Sequence, residues 1–113
     1  MGELANKMLL DWISKKIGQR MNINDGVEAC RSRPGAVLID VRGEDEFRSG
    51  HIPGSVNVPL SVILQISYSQ ETPLFLYCLR GHRSQKAADI LSRMGFSNVY
   101  SIGGIKGYKG ELE

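Results

Sequence analysis

The sequence predicts an α/β protein: an open, parallel sheet with helices on both faces. Three observations carry this. Ala36-Val37-Leu38-Ile39 and Leu74-Phe75-Leu76-Tyr77 are short, continuous apolar runs bounded by turn signals, the pattern of strands buried on both faces. Helical segments lie between and after them, and strands alternating with helices imply a layered sheet. The first run ends at Asp40 and the second at Cys78. In such sheets ligands bind beyond the carboxyl ends of the strands, so both residues belong to one functional edge.

The elements follow in order. Leu4, Met8, Leu9, Trp12, Ile13 and Ile17 share one helical face, and Gly18 is a stop. This predicts an amphipathic helix over residues 1–20 as an extension, with Trp12 as a core or interface anchor. The main domain then spans residues 21–113. Met21 to Ile23 reads as a short extended piece. Asn24 reads as the N-cap of a helix to about Arg31, broken by Pro34-Gly35. Cys30 shares a face with Val27 and is expected in the core. Glu44 to Ser49 and Leu60 to about Ile66 are expected as helical segments. Arg83 to Met94 is a clearer helix, with Ala87, Ala88, Leu91 and Met94 as its stripe and Gly95 as its end. Asn98-Val99-Tyr100 is expected as the final strand, and Gly103-Gly104 as a turn into a short terminal segment.

Bulk properties exclude several function classes. The 113 residues suit one core. A formal net charge of +2 is too small to argue for nucleic acid or an anionic membrane as partner. No apolar run approaches the roughly 20 residues that span a bilayer. The N-terminus lacks a basic stretch followed by an apolar one, so the cytoplasm is the expected location. Two cysteines make no disulfide framework. His51 and His82 stand without ligand spacing, so neither metal nor cofactor is expected.

The chemistry concentrates in Cys78-Leu79-Arg80-Gly81-His82-Arg83-Ser84, which joins a buried strand to a helix N-terminus. Backbone N–H groups of such a loop can turn inward and cradle an anion. Gly81 supplies the positive φ that a tight loop needs. The helix dipole, Arg80 and Arg83 favour a thiolate at Cys78. A cradled thiolate attacks electrophilic sulfur or phosphorus. His82 is expected to face solvent, since no partner is identifiable. Asp40 reads as a strand-end cap on local backbone, and Glu46 and His51 as residues that fix loop structure.

At this point the sequence resembles the rhodanese family. Ile39-Asp40-Val41-Arg42, Glu46-Phe47 and Gly50-His51-Ile52-Pro53-Gly54-Ser55-Val56-Asn57-Val58-Pro59 are similar to its first signature. Leu76 to Ser84 resembles its active-site loop. Gly103-Gly104-Ile105-Lys106-Gly107-Tyr108 resembles its closing motif, with Tyr108 where Trp is common. The resemblance covers roughly Met21 to Tyr108 and implies a five-stranded parallel sheet. It also implies that Cys78 takes a sulfane sulfur from thiosulfate or a polysulfide and passes it to cyanide or a thiol. Leu79, Arg80, Gly81, His82, Arg83 and Ser84 would then hold the persulfide. Asp40 and Arg42 would support the pocket, Arg42 holding an anionic donor.

Two alternatives stand beside this. A related phosphatase loop has five residues between Cys and Arg, whereas four separate Cys78 from Arg83; the smaller cradle suits sulfur. A non-turnover sulfur carrier or interaction module, serving a sulfur-accepting protein, would share every motif.

Overall fold

The computed structural model describes residues 21–113. The expected N-terminal helix and Trp12 lie outside the described residues. Helix α1, Ile23–Ser32, opens two residues earlier than the sequence suggests, so that Ile23 is helical rather than extended. Asn22 is its N-cap, and its side-chain oxygen accepts from the Asn24 N–H at 2.8 Å. Asn24 has other work. Its amide donates to the Gly107 carbonyl at 3.0 Å and its oxygen accepts from the Lys109 N–H at 2.9 Å, tying the terminal segment to α1.

Strand β1 is Val37–Asp40, helix α2 is Glu44–Ser49 and strand β2 is Val56–Asn57. A 3-10 helix, Leu60–Gln65, follows, then β3 (Leu74–Cys78), α3 (His82–Arg93), β4 (Val99–Gly104) and a 3-10 turn at Ile105–Gly107. The sheet order is β2-β1-β3-β4 and all pairings are parallel. Alternation along the strands divides the core in two. Leu38, Phe75, Tyr77 and Ile102 pack against Ile23, Val27 and Cys30 of α1. Ile39, Leu74, Leu76 and Cys78 pack against Ala87, Ala88 and Leu91 of α3, with Ile63 beneath them. Helices thus cover both faces, as the apolar runs require.

Two differences from the sequence reading have local causes. The described residues form four strands, not the five the resemblance implies. Met21 does run beside β4, its carbonyl oxygen 3.4 Å from where a Cβ on Gly103 would sit. The chain enters α1 at Ile23, so the described part of this edge is too short for a ladder. Conversely, β4 runs through Ser101 and Ile102 to Gly104 rather than stopping at Tyr100. The register slips between Leu76 and Cys78, where Gly103 adopts φ +100°, a bulge that re-aims the strand end. Gly104 then lies opposite Cys78. A Cβ there would overlap the Leu79 carbonyl oxygen and stand 2.6 Å from the Arg80 Cα. The glycine therefore serves close approach of β4 to the loop after Cys78, not a turn.

Candidate active site

Cys78 is the last residue of β3, and its side chain is almost fully buried at 1% exposure. The chain reverses immediately after it. Gly81 takes φ +104°, the left-handed conformation that only glycine adopts without strain, and caps α3. This turn aims two backbone donors at the sulfur. The Gly81 N–H donates to Sγ at 2.9 Å and the Ser84 N–H at 3.4 Å. The Ser84 hydroxyl lies 3.6 Å from the same sulfur. The buried sulfur thus faces N–H groups at the positive end of a 12-residue helix. Lys106 N–H donates to the Leu79 carbonyl at 3.2 Å, closing the loop from the β4 side.

The loop residues divide by exposure. Leu79, Arg80 and His82 are exposed, and His82 begins α3 facing solvent. Arg83 is half-buried and is held by Glu46 in a two-pronged pair, 2.7 Å from Nη1 to Oε1 and 3.0 Å from Nη2 to Oε2. Glu46 Oε1 also accepts from the Gly43 N–H at 3.1 Å, which fastens the start of α2. Its hydrogen bond with Arg83, and then that from Gly43, hold its carboxyl down to about 2. Sequence reasoning gave Glu46 a role in fixing the loop but missed its partner, 37 residues away in the chain.

Arg42 does not stand free for an anionic donor, as the resemblance had it. Its guanidinium forks onto Asp40, with Nε 3.0 Å from both carboxylate oxygens and Nη2 2.7 Å from Oδ2. Nη2 also donates to the Gly50 carbonyl at 2.7 Å. Both partners are buried, so each compensates the other's charge. Burial alone would lower the Arg42 pKa, but the hydrogen bonds and charge of Asp40 raise it. Asp40 Oδ1 also accepts from the Arg42 N–H at 2.8 Å, the local cap that its strand-end position suggested. The pair anchors the turn leading to α2 and Glu46. Tyr77, on the opposite face of β3 from Cys78, fixes the next loop: its hydroxyl accepts from the Ile52 N–H at 3.1 Å and meets Ser55 Oγ at 2.9 Å.

Among the described residues no group of three or more His, Cys, Asp or Glu side chains is placed to hold a metal. Cys30 is buried in the α1 face, and burial pushes its thiol up to about 11. It receives no cradle of N–H groups.

Comparison with known proteins now bears on this geometry. The family model described as the Rhodanese-like domain matches residues 24–111. The chain belongs to this family. Thiosulfate sulfurtransferase GlpE of Pseudomonas savastanoi pv. phaseolicola is 43% identical over 72 residues, covering 62% of this chain and 68% of that protein. Protein YqhL of Bacillus subtilis is 41% identical over 81 residues; the match covers 69% of this chain and 64% of that protein's length. Among solved structures, a rhodanese with anions from E. coli superimposes with a TM-score of 0.63 at 28% identity, over 69% of this chain and 96% of that one. The parallel sheet flanked by helices is thus the rhodanese-like architecture, and several of the sequence relatives are thiosulfate sulfurtransferases.

Proposed function

We propose that the protein is a sulfurtransferase that carries sulfane sulfur on Cys78. The observation that carries this reading is the sulfur itself, with Gly81 N–H at 2.9 Å and Ser84 N–H at 3.4 Å turned onto it. The thiolate attacks the outer sulfur of thiosulfate or the terminal sulfur of a polysulfide. A new S–S bond forms, and the old one breaks as sulfite or a shorter polysulfide leaves with the electron pair. Cys78 is then a persulfide. A cyanide or thiol nucleophile takes the outer sulfur and returns the thiolate. Each step displaces an anion on sulfur, and preorganised backbone donors stabilise that charge without reorganising.

Local geometry favours sulfur over phosphorus. A phosphoryl group brings three oxygens that must be wrapped at once, and Arg83, which would clamp them, is already engaged by Glu46. The exposed cations of the cleft beside the loop include Arg80, Lys86 and, when protonated, His82. A small donor therefore suits the site better than a phosphoester.

Thiocyanate formation from thiosulfate and cyanide, and sulfide release from a polysulfide with a thiol, test the proposal. Turnover with at least one donor is expected, abolished by Cys78→Ser and retained by Cys30→Ser. Robust hydrolysis of an aryl phosphate dependent on Cys78 would instead favour phosphoryl chemistry. Rapid loading of sulfur with poor turnover of every small acceptor would mark a dedicated carrier that serves another protein.

A further inference from the structure

Strand β4 brings to the nucleophile a side chain that the proposed chemistry has not used. Ser101 lies opposite Leu76 in the sheet, and its Oγ is 2.8 Å from Ser84 Oγ. Ser84 is fully buried in the first turn of α3. Its hydroxyl donates its one proton to the Gly81 carbonyl at 3.1 Å, while the neutral Cys78 thiol donates to Ser84 Oγ at 3.6 Å; once the sulfur is ionised, the Ser84 proton has three acceptors in reach, the Gly81 carbonyl, Ser101 Oγ at 2.8 Å and Cys78 Sγ. Only the last of these places the proton on the nucleophile. The nearest acceptor is Ser101; when Ser101 acts as donor, only the Gly81 carbonyl still competes with the sulfur, and an ionised sulfur, as the charged acceptor, draws the proton. A donated hydrogen bond also polarises the Ser84 O–H and strengthens what Ser84 donates in turn.

We infer that Ser101 is a positioning residue: its hydroxyl donates to Ser84 Oγ and so directs the Ser84 proton onto the Cys78 thiolate. When the sulfur carries its own proton, the direction reverses. The thiol donates to Ser84 Oγ, and Ser84 donates to Ser101 or to the Gly81 carbonyl. The pair of hydroxyls follows the protonation state of the sulfur and favours the anionic state through a chain of two hydrogen bonds. Charged side chains also stand on the elements next to this sulfur, and the Arg83 guanidinium is close enough to feel its charge. Arg80, His82 and Arg83 come from the loop and α3, Asp40 and Arg42 from β1 and its turn, Glu46 from α2 and Lys106 from the segment after β4. They set the baseline on which the hydroxyl chain acts. The inference rests on Cys78 being the nucleophile, but not on the atom it transfers.

The rate of Cys78 alkylation by iodoacetamide against pH, read on the Cys78 peptide, measures this without any sulfur donor. Ser101→Ala is expected to move the midpoint of the curve upward by about half a unit, and Ser84→Ala by more. Because Ser101 acts through Ser84, the double variant is expected to match Ser84→Ala alone. Ser101→Thr and Ser101→Val have the same shape and differ by the hydroxyl. Thr is expected to keep the wild-type midpoint and Val to shift it, which reads the effect even if the alanine variant packs poorly. Identical midpoints for Thr and Val, or an undiminished Ser101 shift in the Ser84→Ala background, would overturn the assignment. Loss of sulfur transfer with these shifts intact would count against the proposed function and leave the role of Ser101 standing.

Discussion

At the scale of single residues, Glu46 is the least expected participant. It holds the guanidinium of Arg83, the cation that would otherwise meet an anionic donor. Replacing it with glutamine removes the charge that competes with the donor. Glu46→Gln is therefore expected to lower KM for thiosulfate, and Arg83→Ala to raise it by leaving the Glu46 carboxylate uncompensated; steady-state kinetics with varied thiosulfate reads both. The same pair has a pH signature. The Glu46 carboxyl falls from 4.5 to about 2 on folding, so its contribution to stability is fully present above about 4.5. That contribution is lost as pH falls towards 2. Both side chains are more than a third exposed, which limits the pair to about 1 kcal/mol or less. Denaturant titrations at stepped pH are expected to show wild type and Glu46→Gln converging across this window.

At the scale of elements, the junction of β4 with the loop after Cys78 decides whether the cradle forms. Gly104 has no room for a Cβ against Leu79 and Arg80. Gly104→Ala is expected to destabilise the fold by about 2 kcal/mol and to slow Cys78 alkylation, since the displaced backbone carries the cradle with it. Gly107→Ala is the control: its Cβ would meet only Ile23 Cγ2 at an ordinary 3.6 Å. Its denaturation midpoint is expected to stay close to wild type. This junction also marks where the sequence was hard to read. A Gly-Gly pair ordinarily punctuates a chain, and that signal ended β4 at Tyr100 and hid Ser101 from view. The strands β1 and β3 and the helix α3 were legible because burial on one or both sides imposes a period on residue type. Asn24 misled for a related reason. Asn22 and Asn24 are equally good caps in composition, and only the bonds of Asn24 to Gly107 and Lys109 show which one caps α1.

At the scale of the whole molecule, parallel topology does the positioning. It sends β1 and β3 out through the same edge, so that Asp40 and Cys78 arrive together although 38 positions apart in the sequence. That much followed from the apolar runs. What did not follow was the pairing of charges: Arg42 with Asp40 two positions before it, and Arg83 with Glu46 across 37 positions. Sequence supplies the ions of such a site but not their partners, because a long side chain reaches whichever counter-ion the loops deliver. The two cysteines illustrate the same dependence on place. Cys30 lies in the face of α1 with its thiol pushed up to about 11. Cys78 meets the N–H groups of a turn and a helix start. Composition treats them alike, and the fold turns backbone N–H groups onto only one of them.

Cys78 alone is expected to carry transferable sulfur. Intact mass followed by peptide mapping, after incubation with thiosulfate or a polysulfide, measures it most directly. A gain of one sulfur atom on the Cys78 peptide is expected, discharged by cyanide, absent in Cys78→Ser and unchanged in Cys30→Ser. No adduct with either donor, or an adduct that persists in Cys78→Ser, would contradict the claim.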